Sequence, residues 1–420
     1  MDKFIVSGGK KLKGEINVSG AKNASLALMP AALLSSGVSR LKNTPHLNDV
    51  YTMMKLLKEL GVKSEFNNDT IELDTSNITS QVAPYEHVKK MRASVYVLGP
   101  LLTKFGYAKV SLPGGCAWGP RPINLHLEAL KKMGAEIELS EGYIIAKSKK
   151  LRGSRINFDV SSVGATGNTL MAAVLAKGTT VINNAAMEPE ITNLVEFLSK
   201  MGAKIDGKGT TTLTVEGVDS LNPAEINTIP DRIEAGTLLI AAAVTGGEVT
   251  LTDISDFYLD AVLVKLVDSG CEINTSENKI SVKAPKEIIP TDVTTSIFPG
   301  FPTDMQAQWT AYMSIAGGVS RVTDTIYLDR FKHVPELVRL GANINVNENT
   351  AVVKGVKKLT GAKVMSTDLR ASASLVLAGL AAEGTTEILR VYHLDRGYQK
   401  IEEKLKSLGA DIERVAGTEY

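Results

Sequence analysis

The sequence predicts an α/β protein of two domains, built from six repeats of one strand-helix-strand-helix-strand-strand unit. Three observations carry that expectation. A glycine that ends an amphipathic helix recurs about every 70 residues, at Gly61, Gly134, Gly202, Gly270, Gly341 and Gly409. An earlier helix in each interval is apolar on all sides. Short alternating runs such as TIELD, YIIAKS, TLTVEG, KISVKA and TAVVKG read as strands.

The glycine-containing segments are LLKELGVKSEF, ALKKMGAEIEL, FLSKMGAKIDG, KLVDSGCEINT, ELVRLGANINV and KLKSLGADIER. Each closes a helix with one polar face, turns at glycine and enters a strand, as a left-handed C-cap requires. The earlier helices are AKNASLALMPAALL, MRASVYVLGPLL, GATGNTLMAAVLA, RIEAGTLLIAAAV, TDMQAQWTAYMSIA and DLRASASLVLAGLA. They lack a polar face, so they belong inside. The final unit ends at IERVAGTEY without the closing strand of its siblings, while KFIVSGG opens the chain as a strand without a unit. The N-terminal strand is therefore expected to complete the last unit. That arrangement divides the chain into a first domain of 22–229 and a second of 1–21 plus 230–420, with a hinge at the two crossings.

Composition excludes several classes. With 44% hydrophobic and 22% charged residues the chain is ordinary for a globular protein, and 47 basic against 46 acidic residues leave no field to recruit nucleic acid or an anionic membrane. No apolar signal core or run of about 18 or more apolar residues occurs, so a cytoplasmic location is expected, with neither membrane nor nucleic acid as partner. Two cysteines and five scattered histidines supply no disulfide framework, CxxC pair or HExxH motif, so no metal is expected. P-loop and dinucleotide-binding glycine motifs are also missing, and no cofactor is expected.

The repeats serve as their own comparison set. The first turn of the buried helix carries Lys22, Arg92, Gly164, Arg232, Asp304 and Arg370 at equivalent places. Helix starts favour anions through their amides and dipole, and the four cations should add to that. Asp304 is the acid among them. The start of the outer helix is expected at Asn48, Arg121, Pro189, Phe257, Leu328 and Arg396, where two arginines stand in place of residues with no charge. An anion explains Arg121 and Arg396. Cys271 takes a place filled by valine or alanine in the other units and reads as core. Cys116 lies in LPGGCAWGPRP, a loop by composition, where nearby Arg121 and a following helix start favour the thiolate.

The motifs GAKNASL (20–26), MRASVYVLGP (91–100), LPGGCAWGPRP (112–122), SSVGAT (161–166), FPTDMQAQ (301–308), RFKHVPEL (330–337), DLRASA (368–373) and HLDRGY (393–398) cover the chain. Together they resemble the enolpyruvyl transferases, in their sugar-nucleotide branch. The resemblance implies an inside-out α/β barrel fold in two domains, with buried helices lining each domain and sheets outside. It implies transfer of enolpyruvyl from phosphoenolpyruvate to the 3-hydroxyl of UDP-N-acetylglucosamine in cell-wall peptidoglycan synthesis. On that basis Lys22, Asn23, Arg121, Arg370 and Arg396 hold phosphoenolpyruvate, and Cys116 is the proton donor and the thiol open to fosfomycin. Asp304 is the candidate base or orienting group for the hydroxyl. The sugar nucleotide falls to Arg92, Arg121, Pro122, Ile123, Asn124, Leu125, Ser162, Val163, Gly164, Asp304 and Ile326. Val160 departs from members with lysine there, and Arg232 suits an interdomain salt bridge or a substrate contact. With few crossings between the domains and cations assigned to both sides of the cleft, charge repulsion is expected to hold the apo form open and anionic ligands to close it, with the glycine-rich Cys116 loop as lid. Two rival readings are enolpyruvylshikimate phosphate synthase, which lacks this cysteine loop, and a nonenzymatic UDP-sugar sensor, which would not need a proton donor.

Overall fold

The computed structural model describes residues 2–89, 91–112 and 123–417. Two compact units divide the chain: Met1–Ser19 with Pro230–Tyr420, and Gly20–Ile229. Each contains three four-stranded sheets and its own apolar core.

The six repeat glycines all adopt the left-handed conformation, with φ between 91° and 106°. An L side chain is strained there, which is why the residue recurs. Each outer helix buries one stripe. In Asn48–Glu59 that stripe includes Val50, Met53, Leu56 and Leu57. The inner helices bury nearly everything: every residue from Ile233 to Val244 and from Gln306 to Met313 is inaccessible. The helices Arg232–Val244, Gln306–Met313 and Leu369–Ala381 pack pairwise at the centre of their unit. Trp309 is fully buried, its indole N–H donating to Thr291 O at 3.1 Å.

Every sheet repeats one order. In the first, Glu225–Asn227 runs parallel to Val38–Lys42, which is antiparallel to Thr70–Asp74, which pairs in turn with Lys63–Asn67. The alternation of Val38–Lys42 places Ser39 and Leu41 inward and leaves the other face exposed. Two long-range exchanges close the units. Lys13–Asn17 runs parallel to Glu248–Thr252 rather than to the strand that follows it in sequence, and Glu225–Asn227 serves the first repeat. The N-terminal strand Lys3–Ser7 lies between Thr385–Leu389 and Asp411–Val415, antiparallel to both. At the crossings, Ala21 N–H donates to Ile229 O and Asp231 N–H to Ser19 O.

Some helix expectations need correction. The second and fifth inner helices begin as 3-10 turns, Arg92–Val97 and Thr303–Met305, before the α-helices Leu98–Phe105 and Gln306–Met313. Pro100 has no amide hydrogen and fits readily in a first turn, which is where the start at Leu98 places it. Asn48 and Pro189 do open outer helices, but Phe257, Leu328 and Arg396 do not. Phe257 sits in the turn Asp256–Tyr258, where Ser255 Oγ accepts from its amide, ahead of Asp260–Asp268. Leu328 precedes Val334–Arg339, whose start is set by Pro335. Arg396 ends the turn Val391–Arg396, and Lys400 at φ 46° separates that turn from the helix Ile401–Ser407.

Candidate active site

In the unit Gly20–Ile229, Lys22 is the first residue of Lys22–Ala31, a helix start that no side chain caps. Its Nζ lies 3.8 Å from Oδ2 of Asp49, which is buried. Asn23 beside it is exposed. The helix dipole and the ammonium both favour an anion at this position.

Three separate stretches of the same unit converge on Asn168. Its Oδ1 accepts from Gly99 N–H at 2.7 Å, and its Nδ2 lies 2.9 Å from Val95 O and 3.1 Å from His126 Nδ1. Gly99 approaches so closely that a Cβ there would stand 2.5 Å from Asn168 O. Val95 belongs to the turn headed by Arg92, and His126 to the helix Asn124–Lys132, which carries Asn124 and Leu125 and is preceded by Ile123. Asn168 itself lies on Val163–Ala173, whose N-cap Ser162 accepts from Ala165 N–H at 3.3 Å. The His126 ring packs tightly on Gly164, where a Cβ would be 3.1 Å from Nε2 and would press the ring back by a few tenths of an ångström. Tyr96 OH donates to Val163 O at 3.4 Å. Arg92, Ile123 to Leu125 and Ser162 to Gly164 are thus held in one neighbourhood. His126 is pushed down to about 4, by burial and then by the charge of Arg92. Val160 is exposed.

The other unit builds an ionic cluster around Asp304. Its Oδ1 is 2.8 Å from Arg330 Nη1 and its Oδ2 is 2.8 Å from Arg370 Nη2. Arg370 is almost wholly enclosed and also donates to Tyr398 OH at 3.1 Å. Burial is the largest influence and opposes its charge, but Asp304, Tyr398 and Asp231 together outweigh it and raise the pKa above the ordinary arginine value. The amide of Ile326 is held at 2.9 Å by Oδ1 of Asp324. Arg396 lies on the turn beside Asp395, whose carboxylate takes a forked pair of hydrogen bonds, at 3.1 and 2.5 Å, from Arg414.

The general expectation of open, anion-binding helix starts is corrected here. Asp231 Oδ1 accepts from the amides of Ile233 and Glu234, and Asp368 Oδ1 from those of Arg370 and Ala371. Carboxylates of the chain already occupy those two dipole ends, so the amides at the starts headed by Arg232 and Arg370 are not open to an anion. Arg232 lies over the Phe298 ring, 5.5 Å from its centroid. Cys116, Arg121 and Pro122 lie outside the described residues. Cys271 is buried among Ser269 and Tyr312, and burial pushes its thiol up. Among the described residues, no group of acidic, histidine or cysteine side chains could hold a metal ion, and no helix is long and apolar enough to cross a membrane.

Residues 6–405 match the family described as EPSP synthase (3-phosphoshikimate 1-carboxyvinyltransferase). A protein of Chloroherpeton thalassium named UDP-N-acetylglucosamine 1-carboxyvinyltransferase is 59% identical, over 100% of this chain and 99% of its own. The chain belongs to the enolpyruvyl transferases. A protein of Chlorobium limicola with the same name is 56% identical over 100% of both chains. The crystal structure of the enolpyruvyl transferase NikO from Streptomyces tendae superposes with a TM-score of 0.90, at 25% identity and over 99% of each chain. That likeness agrees with the inside-out α/β barrel expected for the family.

Two groups of this enolpyruvyl transferase were not singled out from its sequence. Arg330 opens the motif RFKHVPEL, yet it does not fall on either repeat position that was compared. His126 follows Asn124 and Leu125 directly, but five scattered histidines gave no spacing signal. Only proximity in space reveals either one.

Proposed function

We propose that this chain transfers the enolpyruvyl group of phosphoenolpyruvate to the 3-hydroxyl of UDP-N-acetylglucosamine and releases phosphate, a cytoplasmic step committed to peptidoglycan synthesis. The observation that carries the reading is identity of 59% and 56%, along the whole chain, to proteins named for that activity. The cluster of Asp304, Arg330 and Arg370 supports it, because the acceptor needs an orienting carboxylate and phosphoenolpyruvate needs cations.

The chemistry is addition followed by elimination. In the addition, Cys116 delivers a proton to the methylene carbon, and the sugar oxygen bonds to the adjacent carbon as the hydroxyl gives up its proton. Elimination then returns one methyl proton to the Cys116 thiolate and releases phosphate, which carries off the hydroxyl's proton, and the double bond is restored. Lys22 and Arg121 in one unit and Arg370 and Arg396 in the other are assigned to the phosphate and carboxylate of the donor. Asp304 shares its charge with two guanidinium groups at 2.8 Å each, which stabilise the carboxylate and weaken it as a base. It orients the 3-hydroxyl by accepting its hydrogen. Arg92, Arg121 to Leu125, Ser162 to Gly164 and Ile326 are assigned to the sugar nucleotide.

Phosphate release from phosphoenolpyruvate tests the reading, with UDP-N-acetylglucosamine or shikimate 3-phosphate as acceptor. Release only with the sugar nucleotide is expected. Release only with shikimate 3-phosphate would transfer the chain to the other branch, and release with neither, alongside tight UDP-N-acetylglucosamine binding, would leave a sensor.

A further inference from the structure

We propose that Asp324 is a positioning residue that ties the sugar-nucleotide segment at Ile326 to the reacting carboxylate Asp304 through Thr303 and Arg330. The inference rests on the functional reading above and assigns a task to Asp324 and Thr303, which that reading leaves unused. Asp324 follows the strand Val319–Thr323 and is fully buried. A buried carboxylate is costly unless every lone pair is used, and here nearly all are. Oδ1 accepts from Thr295 Oγ1 at 2.8 Å and from the amides of Ile326 and Tyr327, both at 2.9 Å. Oδ2 accepts from Thr303 Oγ1 at 2.7 Å.

The relay has a direction. A carboxylate only accepts, so Thr303 spends its one hydroxyl hydrogen on Asp324 and offers Arg330 only a lone pair. Arg330 Nη1 donates into it at 3.0 Å and lies 2.8 Å from Asp304 Oδ1. The hydrogens of one nitrogen are thereby divided between Thr303 and Asp304, and Asp304 is held at a fixed angle beside Arg370. Asparagine at 324 has the same shape but fits neither way. Its amide nitrogen would face the Ile326 and Tyr327 amides, or it would face Thr303 and turn that hydroxyl hydrogen toward Arg330.

Steady-state kinetics on the full-length enzyme, with calorimetric binding of UDP-N-acetylglucosamine, separate the two arms. Thr303→Val cuts the relay and leaves the hold on Ile326. It is expected to lower kcat on the order of tenfold with sugar-nucleotide affinity unchanged, and Thr303→Ser should restore kcat. Asp324→Asn is expected to weaken sugar-nucleotide binding on the order of tenfold and to lower kcat as well. Should Asp324→Asn fail to fold, the threonine pair decides. A Thr303→Val enzyme equal to wild type, or Thr303→Ser as impaired as Thr303→Val, would overturn the relay while wild-type turnover upholds the functional reading. A wild type that neither binds nor consumes the sugar nucleotide overturns both.

Discussion

Acid should destabilise the unit Gly20–Ile229 through the single imidazole of His126. Asn168 Oδ1 is committed to Gly99 N–H, so the amide nitrogen of Asn168 faces His126 Nδ1. That ring nitrogen must accept, which fixes the neutral tautomer with its hydrogen on Nε2. A second proton would set donor against donor in a buried site already near Arg92. Folding therefore lowers the pKa from 6.5 to about 4, with burial the larger cause and the Arg92 charge the smaller. Between those values the unfolded chain holds the proton and the folded chain does not, so stability falls as pH falls through the window. The gap corresponds to about 3 kcal/mol, reached near pH 4 and absent above the unfolded value. Proton-carbon NMR of the ring would give the titration midpoint directly. Urea unfolding of wild type and His126→Gln between pH 7 and 4.5 would give the energy. His333 in the other unit is pushed down to about 3, by burial and then Arg330, so acid sensitivity should persist in the variant but shrink by the His126 share. A His126 midpoint near 6.5, or identical acid loss in both proteins, would refute the reasoning.

Further outcomes follow from the same geometry. Gly134→Ala should cost about 1 kcal/mol in denaturant unfolding, because φ is 92° and a Cβ there meets nothing within 4 Å, leaving backbone strain alone. Gly61→Ala should cost more, since its Cβ would lie 2.7 Å from Asn77 O. Fosfomycin should alkylate Cys116 and spare Cys271, which is buried with its thiol pushed up; peptide mass mapping reads this, and a label on Cys271 would reverse the ranking. Cys116→Ser should lose turnover with an unchanged circular dichroism spectrum, while Cys116→Asp should keep turnover and resist the epoxide. Asp304→Asn should lower kcat by about a hundredfold or more. The same change should cost about 2 kcal/mol in unfolding, because the enclosed Arg370 loses its carboxylate while Asp304 itself is partly open to water.

Sequence alone determined the features that local chemistry encodes. Six glycines at helix ends announce six left-handed caps, and apolar and amphipathic periodicities separate inner from outer helices, because cap geometry and side-chain direction depend on a few neighbouring residues. The cations at the first turns of the inner helices were legible for the same reason. Asp231 and Asp368, which cap two of those helix starts from two and three residues away, are equally local signals that went unread, while tertiary structure alone set Lys22 3.8 Å from Asp49. It also decided strand partnership. Nothing in the residues of Lys13–Asn17 and Glu225–Asn227 marks them for distant sheets, and only closure of each unit assigns them there. Arg330 beside Asp304, His126 beside Gly164 and Asp324 beneath Ile326 were invisible for a similar reason. A charge or imidazole reads the same in any sequence until folding sets its partners at 2.8 to 3.1 Å, and a buried polar group persists only where such partners exist.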